Sequence, residues 1–524
     1  MQHHSHKSCK HKVTVDTVKV TGESTFPCQP LPGRDTVFRN TEAEPDIAVG
    51  YNPINPDKPM VVVCYQQDRY NHDGGCNSDY MRISYDGGET FNRDPIPLPT
   101  VLCFNGPYER ASDPHVKITS QGEILFCAIP FNVVRNFATG VSIAKYNVQI
   151  KDWVYVKDID PQNGSQDSPN SSGSDYPTLV IDPQDPSGNT AYMGWTRYWY
   201  TDPGNSVTLD NMAFSKTTNG TDWSTPTIYA ETPELDITLG WNPAFNTGIY
   251  PKSDTSIGIN RFTLLENPCK SYSKIVALFN DSIGFDSGAT NQYNLIYSCY
   301  SSDQGQTWSV PILIDLRFNS GSGSTATQIV DPDDYTKLVR GGDGNPYPAA
   351  DRKRNRIFVV AGLDSLLNVA NPTPSGIYMF VSLDGAQTWK TIGKINTRQD
   401  VEAFNPSIIV LENGHIAVSY YDFRNHSANP DTNLPLETDY WMDIFHYHEK
   451  DNTVSLVKEI RLTDVSFNFR NAIPLLGGNN TPAGYFLGDY MGIALNGHKI
   501  YTAYGIANPD PNNKTDIWSS TITL

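Results

Sequence analysis

Short apolar runs and period-two alternation recur along the whole chain, and helix-period patterns do not interrupt them. Met60-Val61-Val62-Val63-Cys64-Tyr65, Ile124-Leu125-Phe126-Cys127, Ala191-Tyr192-Met193-Gly194-Trp195, Lys274-Ile275-Val276-Ala277-Leu278-Phe279, Ile357-Phe358-Val359-Val360, Ile416-Ala417-Val418-Ser419-Tyr420 and Ile500-Tyr501-Thr502-Ala503-Tyr504 each predict a buried strand. Most follow a shorter strand that opens on a polar residue beside proline or glycine. These openings are Glu44-Pro45-Asp46-Ile47, Ser112-Asp113-Pro114-His115, Asp175-Tyr176-Pro177, Asn345-Pro346-Tyr347, Asn405-Pro406-Ser407 and Gly488-Asp489-Tyr490-Met491. The fourth opening is less sharp and falls near Lys252 to Thr263. The pattern is all-β, in units of one repeated design.

The turn after the third strand carries a second repeat. Ser84-Tyr85-Asp86-Gly87-Gly88-Glu89-Thr90-Phe91 returns as Ser301-Ser302-Asp303-Gln304-Gly305-Gln306-Thr307-Trp308 and as Ser382-Leu383-Asp384-Gly385-Ala386-Gln387-Thr388-Trp389. Eroded copies end at Trp223 and at Trp153. Asp86, Asp303 and Asp384 can accept backbone N–H bonds across a tight turn, and the aromatic that follows can wedge between neighbouring sheets. The last unit is one strand short. The strand predicted at Lys12–Val20 has no partner near it in sequence and would complete that unit, removing a free sheet edge.

These boxes resemble the Asp-box, or bacterial neuraminidase repeat, of the sialidase superfamily of β-propellers. Glu44-Pro45, Gln66-Gln67-Asp68-Arg69, Tyr108-Glu109-Arg110-Ala111-Ser112-Asp113-Pro114, Tyr420-Tyr421-Asp422-Phe423-Arg424 and Phe486-Leu487-Gly488-Asp489-Tyr490 are similar to motifs of a group of sialidase-like repeat proteins often labelled exo-sialidases. The resemblance implies a single propeller of four-stranded antiparallel blades over residues 41–524, preceded by a tail and closing strand within 1–40. Seven blades fit the strand count, with six, the sialidase number, as the alternative. It also implies that the boxes mark the face opposite the active site.

The other face receives the entrances of first strands and the exits of second strands. It gathers Glu44, Asp113, Asp175, Asn405 and Asp489 with Asp68, Arg69, Arg110, Arg197, Asp422, Arg424 and Trp195. Carboxylates, arginine forks and aromatic faces together suit a sugar, particularly an acidic one. A glycoside hydrolase would use Asp113 as acid/base, Glu44 or Asp489 as its partner and Tyr421 or Tyr490 as a nucleophile, with Arg69, Arg110, Arg197 and Arg424 orienting the substrate. Sialidases carry Arg-(Ile/Val)-Pro at the first inner strand, where this chain has Ala43-Glu44-Pro45. A surface propeller that binds a glycan or protein without turnover is therefore the second reading. The acidic ring could also take Ca²⁺, although no cofactor is required by the glycosidase reading.

Composition narrows the partners. A formal charge of −18 disfavours nucleic acid and anionic membranes, and no apolar run is long enough for a membrane span. The N-terminal residues lack the apolar core of a signal peptide, so the sequence predicts a soluble chain of unassigned compartment, with an extracellular or particle surface still open. Their histidines and Cys9 read as a solvated tail or as weak metal ligands. Of the 8 cysteines, Cys76 and Cys103 are expected to pair, because both fall in loops of one face.

Overall fold

The computed structural model describes residues 13–29, 36–71, 74–133, 138–163, 171–200, 207–229, 258–284, 292–319, 329–341, 344–363, 374–427, 434–476 and 482–524. The N-terminal histidines and most of the connection at 226–250 lie outside them. The fold is all-β, and among the described residues helix is confined to single 3-10 turns such as Leu102–Phe104. No helix there is long and apolar enough to cross a membrane.

The expected units form antiparallel sheets in chain order. Val37–Gly50, Met60–Tyr70, Cys76–Ser84 and Ile96–Pro97 pair in succession. A single pairing of Cys76 with Ala111 joins them to Arg110–Ile118, Ile124–Phe131, Ser142–Asn147 and Asp152–Asp158. Four-stranded sheets follow at Ser171–Tyr229, Gly258–Asn319 and Tyr347–Lys394, then the sheet built on Ala403–Val410, Ile416–Asp422, Glu437–His448 and Thr453–Arg461. Gly492–Asn496, Lys499–Ala507 and Thr515–Thr523 form the last, and Thr14–Lys19 adds to it with Thr14 opposite Thr523. The orphan strand of the sequence thus finds its partner at the other end of the chain.

First strands neighbour one another in order, from Val37–Gly50 round to Gly492–Asn496, which returns to Val37–Gly50. Apolar clusters fill the spaces between consecutive sheets. Met60, Val62 and Met81 meet Val116 and Phe126, while on the other side Ile47, Val61 and Val63 meet Tyr501 and Ile517 of the last sheet. A sheet covered on both faces needs apolar residues on both, which is why Met60–Tyr70 is buried throughout and reads as a continuous run.

The repeated turns latch as their sequence requires. In each, the serine hydroxyl donates to the aspartate, and the aspartate accepts the threonine N–H (2.9 Å) and hydroxyl. Trp308 reaches Phe214 of the preceding sheet while packing on Phe262 of its own, and Trp389 donates its indole N–H to Ser298 of the preceding sheet at 2.9 Å.

The expected disulfide is corrected. Cys103 is bonded to Cys28, 75 residues away, whereas Cys76 is a buried thiol 3.3 Å from Asp79. The stretches 309–342 and 464–487 contribute a further sheet outside the repeated units. There Asp334–Arg340 runs parallel to Pro482–Phe486, placing Arg340 opposite Phe486. Cross-linking over 75 residues restricts the unfolded chain, so Cys28→Ser is expected to lower stability by ~2–4 kcal/mol in denaturant melts, with no comparable loss of cross-linking in Cys76→Ser.

Candidate functional site

Proline deletes one ladder donor, and the structure bulges where it does so. The register slips between Ala43 and Asp46, Ser112 and His115, Asp175 and Thr178, and Phe404 and Ser407. At each slip the residue before proline adopts a left-handed backbone: Glu44 (φ 53°), Asp113 (φ 54°), Tyr176 (φ 47°) and Asn405 (φ 49°). Such a conformation is strained for these residue types, more so before proline, and persists only where the surroundings impose it. Gly488 (φ 137°) is the covering piece. A Cβ there would lie 2.7 Å from the Glu44 nitrogen. The loop Phe486-Leu487-Gly488-Asp489 therefore crosses directly over Glu44, with the Glu44 N–H donating to Leu487 O at 3.4 Å and Asn405 donating to Gly488 O at 2.7 Å.

These bulges and the loop that crosses Glu44 bring Glu44, Asp113, Asp175 and Asp489 into one group. Glu44 is 2 % exposed, accepts from Gln66 and receives the Asp489 N–H. Burial pushes its carboxyl well above the usual range, the charges of Asp113 and Asp489 push it further, and Arg69 and Arg340 only partly offset them. Asp175 is likewise pushed well up, first by burial and then by the charge of Asp113, with which it is in hydrogen-bonding contact. Both carboxyls also receive the backbone N–H of Tyr176, at 3.0 Å for Asp175 and 3.2 Å for Asp113. Asp489 is held differently. The Arg340 fork binds it through both oxygens, its Nε at 2.8 Å, and the Tyr176 hydroxyl donates to it at 3.3 Å. The cluster thus holds two kinds of carboxyl side by side, one raised by burial and one paired with a guanidinium.

Cations and rings complete the wall. Arg69 and Arg340 both lie against Phe486, at 5.1 and 5.3 Å from its centroid, and the buried Arg69 donates to Gly75 O while its Nε has no hydrogen-bond partner. Arg261 lies 4.8 Å from the Tyr490 ring and 5.3 Å from that of Tyr347. It is braced by His115, which stacks on Tyr490 and whose two nitrogens face Arg261 (3.2 Å) and Asp46 (3.3 Å). Burial, then the Arg261 charge, lowers the imidazole to about 4, so at neutral pH it accepts from Arg261 and donates to Asp46. Asp175, Tyr176 and Arg261 are half-buried and the Arg340 side chain is 37 % exposed, so the group opens to solvent on their side.

Not all expected residues join it. Tyr490 does, but its hydroxyl donates to Pro114 O and it is 1 % exposed. Tyr421 sits inside the aromatic core against Phe404 and Tyr440, donating to Gly505 O at 2.7 Å. Trp195 is fully buried, its indole bonded to Asp160, and Arg197 pairs with Asp160 and Gln162. Arg424 is engaged with Asp422 (2.7 Å), Glu459 and the face of Trp441. Arg110 lies 3.6 Å over Tyr70, and Asp68 ties Asn40, Ser24 and Asn77 together. Asp422 and Asp68 therefore serve neighbouring loops. Tyr176, Arg261, Arg340 and Tyr347 are site residues that the sequence reading passed over; the Tyr-Pro step at 176 was the one visible signal. The acidic ring is engaged by arginines and backbone donors, and among the described residues no three His, Cys, Asp or Glu are gathered to hold a metal ion.

Two outcomes are expected. Gly488→Ala, which brings Cβ against the Glu44 backbone, should cost ~1–3 kcal/mol and disturb the cluster, read by melts and by loss of ligand binding. Because the Glu44 carboxyl is raised in the folded protein, its contribution to stability is complete at low pH and is lost as pH rises towards its folded pKa. Glu44→Gln should therefore gain thermal stability relative to the parent as pH rises from about 4 to about 8. A difference that stays constant over that range would contradict the assigned protonation.

No protein-family model matches the chain, and no curated protein matches it significantly. Among solved structures it is similar to an α-L-arabinanase of Penicillium chrysogenum, with 9% identity, 93% of this chain and 98% of that chain covered, and a TM-score of 0.41. It is also similar to a GH93 α-L-arabinofuranosidase of Fusarium graminearum (14% identity, 86% and 98% covered, TM-score 0.42). A sialidase of Streptococcus pneumoniae gives 12% identity, 94% and 70% covered, and a TM-score of 0.41. Likenesses of this depth leave the side chains themselves to carry the functional reading.

Proposed function

We propose that the chain is a glycoside hydrolase acting on an acidic sugar of a glycan or glycoconjugate, built as a β-propeller of seven four-stranded blades over residues 41–524 and closed by the strand near 12–20. The ring reading is supported by the order in which first strands neighbour one another and by the pairing of Thr14–Lys19 with Thr515–Thr523. The single observation that carries the function is the split among neighbouring carboxyls: Asp175 and Glu44 pushed up by burial and like charge, Asp489 gripped by the Arg340 fork. Glycoside cleavage needs one protonated and one ionised carboxyl across the scissile bond.

Asp175 is half-buried and reaches the open side, so it is the general acid in this reading, with Asp113 in hydrogen-bonding contact beside it. Asp489 supplies the negative charge opposite, either directly or through Tyr176, whose hydroxyl it accepts. Arg340 and Arg261 take the carboxylate or hydroxyls of the sugar, with Arg261 seated on the buried rings of Tyr347 and Tyr490. Buried Glu44 holds the covering loop in place.

One observation favours the non-catalytic alternative. Ala43, fully buried against Ile473 and Phe486, stands where the sialidase motif carries its arginine. A panel of acidic and neutral glycosides, run beside a glycan array, separates the two: binding without turnover of any glycoside selects the binding protein. For the hydrolase, Asp175→Asn and Asp489→Asn should each lower kcat by about 10²–10⁴-fold. Arg340→Ala should chiefly raise KM for acidic substrates, and Arg424→Ala should leave both constants within about twofold. Turnover that survives Asp175→Asn and falls with Arg424→Ala would overturn the assignment.

A further inference from the structure

Two short hairpins carry the groups that close over the carboxyl cluster. Ile329–Asp331 pairs with Asp334–Arg340, and Ile473–Leu476 pairs with Pro482–Phe486. The hairpins come from distant segments, and the ladder between them is only Val339 opposite Tyr485 and Arg340 opposite Phe486. A two-stranded hairpin is marginal by itself, and so short a ladder adds little. Ile329 and Val339 share an apolar cluster with Phe404, but apolar contact is non-directional and does not aim an arginine fork.

A buried ion cluster supplies the direction. Arg470 forks onto Asp331, its Nε and Nη2 each 2.6 Å from a carboxyl oxygen, and Nη2 also reaches Asp333 at 2.7 Å. The guanidinium is 7 % exposed and both carboxyls are fully buried. Asp331 and Asp333 lie at the turn of the first hairpin, whereas Arg470 leads into the second, just ahead of Ile473, the partner of Phe486. The sheet built on Ala403–Val410 holds Arg470 from behind. Asn468 accepts the Arg470 N–H at 3.1 Å and the Leu436 N–H at 2.8 Å, Nη1 donates to Leu434 O, and Phe469 packs against Phe404 and Phe423. His426 Nε2 lies 3.0 Å from Asp333.

We propose that Arg470 is a positioning residue: through Asp331 and Asp333 it sets where Arg340 stands, and so whether Arg340 grips Asp489. Removing one partner from a buried ion cluster leaves the others uncompensated, and here it leaves two carboxylates. Keeping both buried and bare costs more than letting the turn swing into water. Arg340 lies on the strand that leaves that turn, so it moves with it. The bearing of this on catalysis rests on the hydrolase reading; the effect on Arg340 does not.

The test reads the arginine Nε–H signals of the full chain by ¹H–¹⁵N NMR. The Arg340 Nε–H, bonded to Asp489 at 2.8 Å, is assigned by its loss in Arg340→Lys. The Arg424 Nε–H, bonded to Asp422 at 2.7 Å and part of neither hairpin, is the control, assigned by its loss in Arg424→Lys. In Arg470→Met the Arg340 signal should vanish or exchange with water about tenfold faster, while the Arg424 signal keeps its position and rate. Asp331→Asn, which leaves Arg470 with Asp333, should give a smaller change in the same direction. Arg470→Met combined with Asp331→Asn and Asp333→Asn should move the Arg340 signal back towards the parent, because no buried charge is then left unpaired. Parental position and exchange of the Arg340 signal in both Arg470→Met and Asp331→Asn would overturn the proposal. Equal loss of the Arg340 and Arg424 signals would also overturn it, since that marks an ion cluster serving the whole fold. No substrate is needed, so a glycoside panel without turnover would sink the hydrolase reading and leave this result standing.

Discussion

Most of the candidate site depends on a proline standing inside an inner strand. Pro45, Pro114, Pro177 and Pro406 cannot donate to the ladder, so each strand must bulge. The bulge leaves the residue before each proline at positive φ, at a cost of order 1–3 kcal/mol apiece. Packing on both faces of every sheet supplies the rigidity that sustains this. The repeated strain converts four equivalent backbone positions into four polar groups directed at a common region, which regular strands, alternating between their two faces, would not provide.

The electrostatics of that region are poor for stability and suited to chemistry. Four carboxyls crowd together, and two of them, Glu44 and Asp175, are pushed well above the usual carboxyl range because burial and like charge make ionisation unfavourable. Replacing such groups by apolar residues would ordinarily be neutral or stabilising. The guanidinium groups do not neutralise the cluster evenly. Arg340 binds Asp489 through two oxygens, while Arg69, also against the Phe486 ring, gives one bond to a carbonyl. Unequal compensation is what separates the carboxyls into donor and acceptor.

Much of this was legible in the chain. Strand runs, latching turns and the polar-residue-before-proline openings are local patterns, and they located Glu44, Asp113, Asp175 and Asp489. The pairing of Thr14–Lys19 with the last sheet was legible because alternation without a nearby partner demands a distant one. Arg340 and Phe486 were not, since they meet through a two-residue parallel pairing between segments about 150 residues apart, and no local pattern encodes that. Tyr421 and Arg424 were misplaced for the opposite reason: proximity in sequence to a strand exit says nothing about which face a side chain takes, and a one-residue shift reverses it. Cys76 lost its expected partner because it lies within a strand, buried beside Asp79, whereas Cys28 lies on the segment that passes Cys103.

The central claim is that two carboxyls of this cluster remain protonated beside one that is paired with arginine. Carboxyl-carbon NMR on protein labelled at aspartate and glutamate side chains reads this directly, with Glu44→Gln and Asp175→Asn spectra assigning the two signals. Both resonances should keep the protonated shift at about pH 6, where ordinary surface carboxyls have fully titrated. Two signals that titrate with the surface groups near pH 4 would contradict the account.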